Sequence, residues 1–190
     1  MKKIPTLFQR NYETDKLVRN EVTPGCEWVL AGEVTPTRKF DGTACLVQNS
    51  RLYRRYELKK GKVAPPDFEA AQEEPDVVTG DTPGWVPVSA GGPDDKWHRV
   101  AAATWSDFLG KPLEDGQTYE LCGPKVQGNP EGFITHVLVQ HGCITADDCP
   151  RDFDGIREYL DNHTIEGVVW WHPDGRRTKV KVRDFGLWRR

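Results

Sequence analysis

Lys39-Phe40-Asp41-Gly42-Thr43 sets a primary amine two residues ahead of a carboxylate and three ahead of a glycine. A lysine attacks an electrophile only when deprotonated, so a catalytic one needs burial or a neighbouring cation, such as a metal, to lower its pKa. The glycine lets the chain turn sharply or lets a ligand come close to the backbone. Taken alone the string is common, and its ordinary reading is a surface lysine in a hairpin. Three further segments add to it. Thr118-Tyr119-Glu120-Leu121 carries an acid in a strand-like run that ends at Cys122-Gly123-Pro124. Glu166 opens the apolar run from Gly167 to Trp171, an unusual place for an acid. Thr178-Lys179-Val180-Lys181-Val182 alternates, which puts two lysines on one face of a strand.

The last two segments are joined by His172-Pro173-Asp174-Gly175, which reads as a four-residue hairpin loop. Pairing Trp171 with Arg176 across it sets Glu166 opposite Lys181 and Val168 opposite Lys179, all four on one face. That register gathers an acid and two lysines around one phosphate and metal site.

The elements that must position these residues are mostly strands. They are expected at Glu27–Gly32, Ala44–Val47, Leu52–Leu58, Gln117–Cys122, Phe133–Gln140, Ile165–Trp171 and Thr178–Val182, all short and bounded by Gly, Pro, Asp or Asn. Asn49-Ser50 is a hairpin turn. Helical spacing covers Trp97–Leu109 and Phe153–Asn162, the second with Asp152 as its cap. Between about 62 and 96 the chain is rich in Pro, Gly and acids and reads as a long ordered loop or excursion. The mixture predicts an α+β fold of mostly antiparallel sheet, and 190 residues suit one domain.

Composition narrows the function classes. With 37% hydrophobic and 29% charged residues the chain is that of a soluble globular protein. No stretch approaches the roughly 18 apolar residues of a membrane span, and the basic N-terminus has no apolar core of a signal peptide. The expected setting is therefore intracellular, without a membrane partner, and the expected state is a monomer. Five cysteines without a CxxC pair argue against a disulfide framework, and His141, Cys143 and Cys149 lack a trustworthy zinc spacing. The net charge of −3 excludes a uniformly basic nucleic-acid binder. Residues 51–62 nevertheless carry six basic side chains and 176–190 carry seven, while 65–95 carry eight acids and no Lys or Arg. Two basic segments fit a polyanionic ligand, although solvated strand faces would show the same pattern. The acidic stretch could act as a lid.

In this order the segments resemble the motifs of the covalent nucleotidyltransferase superfamily, the ATP-dependent polynucleotide ligases and mRNA capping enzymes. KxDG stands at Lys39, Asp41 and Gly42, an acid within a strand at Glu120, EGVV at Glu166 to Val169, and KxK at Lys179 and Lys181. The resemblance implies an ATP-grasp-like adenylyltransferase domain spanning residues 1–190, with mostly antiparallel sheets and a few flanking helices. It implies ATP as donor of a covalent AMP and Mg²⁺ or Mn²⁺ as cofactor. Lys39 would carry the AMP, Lys179 and Lys181 would hold the α-phosphate, and Asp41 and Gly42 would shape the turn beside the nucleotide. Glu166 would be a metal ligand. Glu120 would take a second metal or the ribose hydroxyls.

Two departures refine this. DNA ligases and capping enzymes write KxDGxR, but the sixth position here is Ala44. The Lys-x-Asp-Gly-Thr form is more similar to RNA ligases, whose arginine comes from the next strand. Leu52-Tyr53-Arg54-Arg55-Tyr56 offers two, of which Arg55 is preferred over Arg54. Second, nine residues follow Lys181, where DNA ligases and capping enzymes carry an oligonucleotide-binding domain. With the phrases CEWVLAGE and YELCGPKVQGNPEG, this resembles compact stand-alone RNA ligases. The implied substrate is RNA with 5′-phosphate and 3′-hydroxyl ends. A DNA ligase or capping guanylyltransferase core is the alternative, and a non-catalytic nucleotide- or RNA-binding module is another. The family's adenine-stacking aromatic falls among Phe133, His136 and His141, and Lys125, Gln127 and Asn129 form a polar loop after the Glu120 strand.

Overall fold

The computed structural model describes residues 2–109 and 112–189. Its strands and α-helices are, in chain order, β1 (Phe8–Arg10), β2 (Val18–Val22), β3 (Thr37–Lys39), β4 (Thr43–Gln48), β5 (Arg51–Leu58), β6 (Glu69–Ala70), β7 (Thr82–Pro87), α1 (Lys96–Leu109), β8 (Thr118–Cys122), β9 (Val137–Gln140), α2 (Phe153–Asn162), β10 (Gly167–Trp171) and β11 (Arg177–Lys181). Every ladder between these strands is antiparallel, so the fold is α+β as expected. The chain falls into two compact units, one of Ile4–Phe40 with Gly142–Arg190 and one of Met1–Lys3 with Asp41–His141. Among the described residues no helix is long and apolar enough to cross a membrane.

The first unit holds the three-stranded sheet β11-β10-β3 and the β1-β2 hairpin. Val168 and Trp170 of β10 and Thr178 and Val180 of β11 are fully buried. They pack with Leu7, Phe8, Trp28, Val29, Ile156 and Leu160. Phe8 meets Phe153 edge-to-face at 5.0 Å, an arrangement the ring quadrupoles favour. Helix α2 starts where expected. The Asp152 carboxylate accepts the Gly155 amide at 2.8 Å, filling one of the four donors a helix N-terminus leaves open. Ile156 and Leu160, four residues apart, then share the buried side.

The β10-β11 register is one residue away from the expected one. Trp171 pairs with Arg177, Val169 with Lys179 and Gly167 with Lys181. The loop takes in Arg176, whose carbonyl accepts the His172 amide at 2.9 Å, while Gly175 at φ 94° makes the turn. Packing explains the slip. The four-residue loop would have set Lys179 and Lys181 on the face of Val168 and Trp170, inside the core. Because strand side chains alternate, a shift of one residue returns both lysines to the other face.

The second unit is built on the six-stranded sheet β6-β7-β5-β4-β8-β9. Asn49 and Ser50, at φ 50° and 58°, form the tight turn between β4 and β5 whose left-handed pair matches the twist of a hairpin. Cys45, Val47, Tyr119, Leu121 and Leu138 make the buried face, covered by Ala101, Ala102 and Trp105 of α1.

Three expectations need correction. Glu27–Gly32 contains a 3₁₀ turn at Glu27–Val29, not a strand. Its apolar run is too short for periodicity to separate the two, and the Trp28 indole donating to the Gly25 carbonyl at 3.0 Å holds the tighter form. The strand expected over Phe133–Gln140 is confined to β9. The excursion at 62–96 holds β6 and β7, and β7 pairs with β5 over six residues. Pro83, Gly84 and Pro87 disguise β7 as loop. Gly84 is needed there, since a Cβ would overlap the Phe68 ring. The strands β1, β2 and β3 carry too few apolar residues to be read from pattern.

Replacing Asp152 with Ala should cost about 1 kcal/mol of stability. Urea unfolding of the variant beside the parent checks this, and an unchanged midpoint would show that the cap contributes nothing.

Candidate functional site

In the first unit, Lys39 ends β3 and Lys181 ends β11, and both stand opposite Gly167 of the central strand. This makes a cross-strand row Lys39–Gly167–Lys181. The next row on the same face is Thr37–Val169–Lys179, and the third sets Trp171 beside Arg177. Gly167 is a glycine for a steric reason: a Cβ would overlap the Val180 carbonyl oxygen. Glu166 lies one residue outside β10, beyond the regular alternation. Its carboxylate accepts Lys39 Nζ at one oxygen and Lys181 Nζ at the other. The acid thus meets Lys181 despite the corrected register, but its second lysine is Lys39 and not Lys179, which pairs with Val169 instead of Val168. Lys39 Nζ also donates to the Phe40 carbonyl at 3.1 Å.

The electrostatics follow from burial and charge. Burial alone would raise the Glu166 carboxyl, but the ammonium groups of Lys39 and Lys181 outweigh it and hold it below the ordinary value. Burial and the Lys39 charge push Lys181 down, against the pull of Glu166. Lys179 falls furthest, to about 8, through burial and the like charges of Lys181 and Lys39. Among the described residues no carboxylate pairs with it. The end of β11 is fixed from behind. The Lys181 amide donates to the fully buried Asp184 carboxylate at 2.9 Å, and Arg10 pairs with the same group.

In the second unit, Glu120 sits on β8 opposite Ala44. One of its oxygens accepts the Gly42 amide at 3.0 Å and the other bonds His141 Nε2 at 2.8 Å. His141 Nδ1 reaches Thr118 Oγ1 at 2.9 Å. A Cβ at Gly42 would overlap the Leu121 carbonyl, so the close approach of the KxDG turn to β8 requires glycine. The Asp41 amide donates to Glu131 at 2.8 Å. Sequence reasoning passed over Glu131; its only local signal was the polar loop that follows Glu120.

The sheet separates the two arginines. Cys45 pairs with Arg54, so continuing the ladder by one residue sets Arg55 beside Ala44, on the face of Glu120. Arg54 lies on the opposite, buried face and pairs with Asp95 at 2.9 Å. Arg55 lies over the Trp85 ring at 5.2 Å, with Glu57 at 3.1 Å from its Nε. Among the aromatic candidates, His141 is beside Glu120, whereas His136 is buried flat against Trp97 at 4.1 Å and accepts the Lys125 amide. Phe133 is half-buried, and its carbonyl accepts the Asn129 side chain at 3.0 Å. Gln127 and Asn129 are turn residues with positive φ. The basic run at 176–190 is described only to Arg189.

The first unit can hold an anion. Cations stand in three rows on one sheet face, and among the described residues the Lys39–Lys181 row alone is balanced by a carboxylate. The second unit offers an acid oriented by a backbone amide and a histidine, with a half-buried arginine on the same face. Among the described residues no group of three or more His, Cys, Asp or Glu stands together as a metal cage.

The family model for RNA ligase 1 matches residues 109–189, the stretch that contains Glu120, Glu166, Lys179 and Lys181. The RNA ligase 1 protein of Pongo abelii is 26% identical over 228 residues, covering 80% of this chain and 67% of that protein. That of Danio rerio is 31% identical over 135 residues, covering 57% of this chain and 42% of that protein. That of Mus musculus is 26% identical over 223 residues, covering 80% and 66%. The matched part is about two thirds of the mammalian proteins and less than half of the fish protein. The chain is thus similar to RNA-ligase-type nucleotidyltransferases, as its motifs indicated.

Lys179 titrates near 8 when folded and near 10.5 when unfolded. Below about pH 8 the folded state therefore holds a charge at a cost, and the cost fades as pH rises toward 10.5. Lys179→Met should raise the unfolding temperature at pH 7, with a gain that shrinks between pH 8 and 10.5. Thermal unfolding of both proteins across that range checks it. A gain that does not change with pH would show that the charge is not strained.

Proposed function

We propose that this chain is an ATP-dependent RNA ligase joining 5′-phosphate and 3′-hydroxyl ends through a lysyl-AMP intermediate. One observation carries the reading: Lys39 and Lys181 share the Glu166 carboxylate, and Lys179, one row further on the same face, has no carboxylate partner among the described residues. The similarity to RNA ligase 1 proteins supports RNA as the substrate class.

Lys39 first gives one ammonium proton to solvent, and its free Nζ amine then attacks the ATP α-phosphorus. A P–N bond forms, the bond to the bridging oxygen of the β-phosphate breaks, pyrophosphate leaves, and a second proton passes from Nζ to solvent. Phosphoryl transfer of this kind depends on in-line positioning and neutralised charge. Lys179 and Lys181 supply that charge at the α-phosphate, where added negative charge develops. The 5′-phosphate of RNA then attacks the adenylate, forming a pyrophosphate link and returning the Lys39 amine. Finally the 3′-hydroxyl attacks that 5′-phosphate, closing the phosphodiester as AMP departs.

The donor chemistry suits Mg²⁺ or Mn²⁺ held through one carboxylate, water and phosphate oxygens, because no protein cage exists among the described residues. Glu166 is the residue assigned to it, and a bound ion would neutralise phosphate charge. Glu120, with one oxygen held by the Gly42 amide and one by His141, is an oriented acceptor that fits ribose hydroxyls or a second ion. Arg55 is assigned to the nucleotide phosphates from the face of Glu120, and Asp41 to bracing the turn through Glu131.

Incubation with ATP and Mg²⁺ should add one AMP residue to the intact mass of the parent and nothing to Lys39→Ala. Arg55→Ala should slow adduct formation by roughly ten- to a hundredfold, the loss of one charge-assisted bond. No adduct on the parent with ATP, GTP or NAD⁺, with either metal, would overturn the reading.

A further inference from the structure

The cationic face of the first unit does not end at Lys179. Arg177 lies two residues back along β11 on the same face, since Thr178 and Val180 between these positions are fully buried. Its guanidinium lies over the Trp171 ring at 4.8 Å. Trp171 is itself oriented: its indole N–H donates to Thr37 Oγ1 at 3.1 Å, and the Thr37 hydroxyl donates to the Val169 carbonyl at 3.0 Å. Thr37 is 6% exposed, so the chain of bonds under the arginine is sheltered from water. Among the described residues no carboxylate pairs with Arg177, and burial lowers its pKa with no nearby acid opposing it. An arginine that gives up hydration, is oriented by an aromatic plane and lacks a counter-ion is built to receive an anion.

Spacing identifies the anion. Alternate residues of a strand are separated by about 6.6 Å, so Lys181, Lys179 and Arg177 form a ladder of cations with that step. Successive phosphates of an extended single strand follow one another at such a step. Phosphates that share a bridging oxygen, as in a triphosphate, are closer together than this step. The charge is also graded. Glu166 balances the Lys181 end, while Lys179 and Arg177 have no partner acid among the described residues.

We infer that Arg177, seated on Trp171, binds the first internucleotide phosphate of the 5′-phosphorylated RNA strand, which runs along β11 from Lys181 toward Arg177. The inference rests on the ligase reading for the identity of the strand. Arg177 on this account is a substrate-positioning residue that distinguishes a polynucleotide end from a mononucleotide.

The test uses the full chain and a short 5′-phosphorylated single-stranded RNA, with binding read by fluorescence anisotropy over a salt series. ATP binding is measured separately by calorimetry. Arg177→Gln should weaken RNA binding several-fold and lower the slope of log affinity against log salt by about one phosphate contact. Arg177→Lys should restore the slope but only part of the affinity, because the ammonium keeps the charge and loses the planar stack. Trp171→Leu should weaken RNA binding with the slope unchanged. Circular dichroism of each variant confirms the fold, and a misfolded Gln variant leaves the Lys and Leu variants to decide. Parent-like RNA affinity and slope in Arg177→Gln, or a loss confined to ATP, would overturn the assignment. A parent that forms the AMP adduct but does not bind the RNA would overturn it while leaving the first step of the ligase reading intact. A parent that binds RNA with the expected Arg177 dependence but forms no adduct would do the reverse.

Discussion

One carboxylate organises the first unit's polar face. Glu166 accepts a lysine at each oxygen, and those lysines come from the two strands that flank its own. Three near neighbours of like or opposite charge are mostly buried together, an arrangement tolerable only because the pairs are satisfied. Removing Glu166 would leave two ammonium groups facing each other with little water, which is far costlier than losing a surface ion pair. The glycine beside it belongs to the same constraint. Gly167 has no side chain, so Lys39 and Lys181 can approach from either side of β10.

That cluster in turn depends on the core behind it. Trp170, Val168 and Val180 are fully buried, and burying them fixes which face of β10 and β11 is left for charge. Asp184 and Arg10 then fix the backbone at Lys181. The lysine ladder is thus a by-product of an apolar register. It keeps its orientation because a slip of one residue would drive two ammonium groups into the cluster of Leu7, Phe8 and Trp170.

The four chemical segments were legible because each is a short local string: Lys39 to Gly42, Glu120 in its run, Glu166 before an apolar strand, and two alternating lysines. What was hidden is what only tertiary contacts decide. The hairpin loop was read as four residues because nothing local distinguishes Arg176 in the turn from Arg176 in the strand. β7 was hidden because two prolines and a glycine suppress the usual strand pattern, although its partner β5 was plain. Arg54 and Arg55 are chemically equivalent in sequence; alternation separates them, sending Arg54 toward Asp95 and Arg55 to the face of Glu120. Glu131 had only the polar loop around it as a signal and Thr37 had none, since their partners lie far along the chain.

The same shared carboxylate also constrains the proposed chemistry. An amine that donates hydrogen bonds to Glu166 and to the Phe40 carbonyl has its hydrogens engaged and its approach fixed. To reach phosphorus, Lys39 must leave Glu166, and burial forbids leaving that carboxylate unbalanced. Lys181 stays bonded to the other oxygen, so Glu166 never loses all its positive partners. A Lys39 carrying the proposed adenylate would no longer be a cation, and Glu166 would have an oxygen free for whatever positive charge accompanied the nucleotide. In the proposed reaction a two-lysine carboxylate would do what a single ion pair cannot: it would release the nucleophile while keeping one cationic partner, and a phosphate arriving beside Lys179 would balance its strained charge.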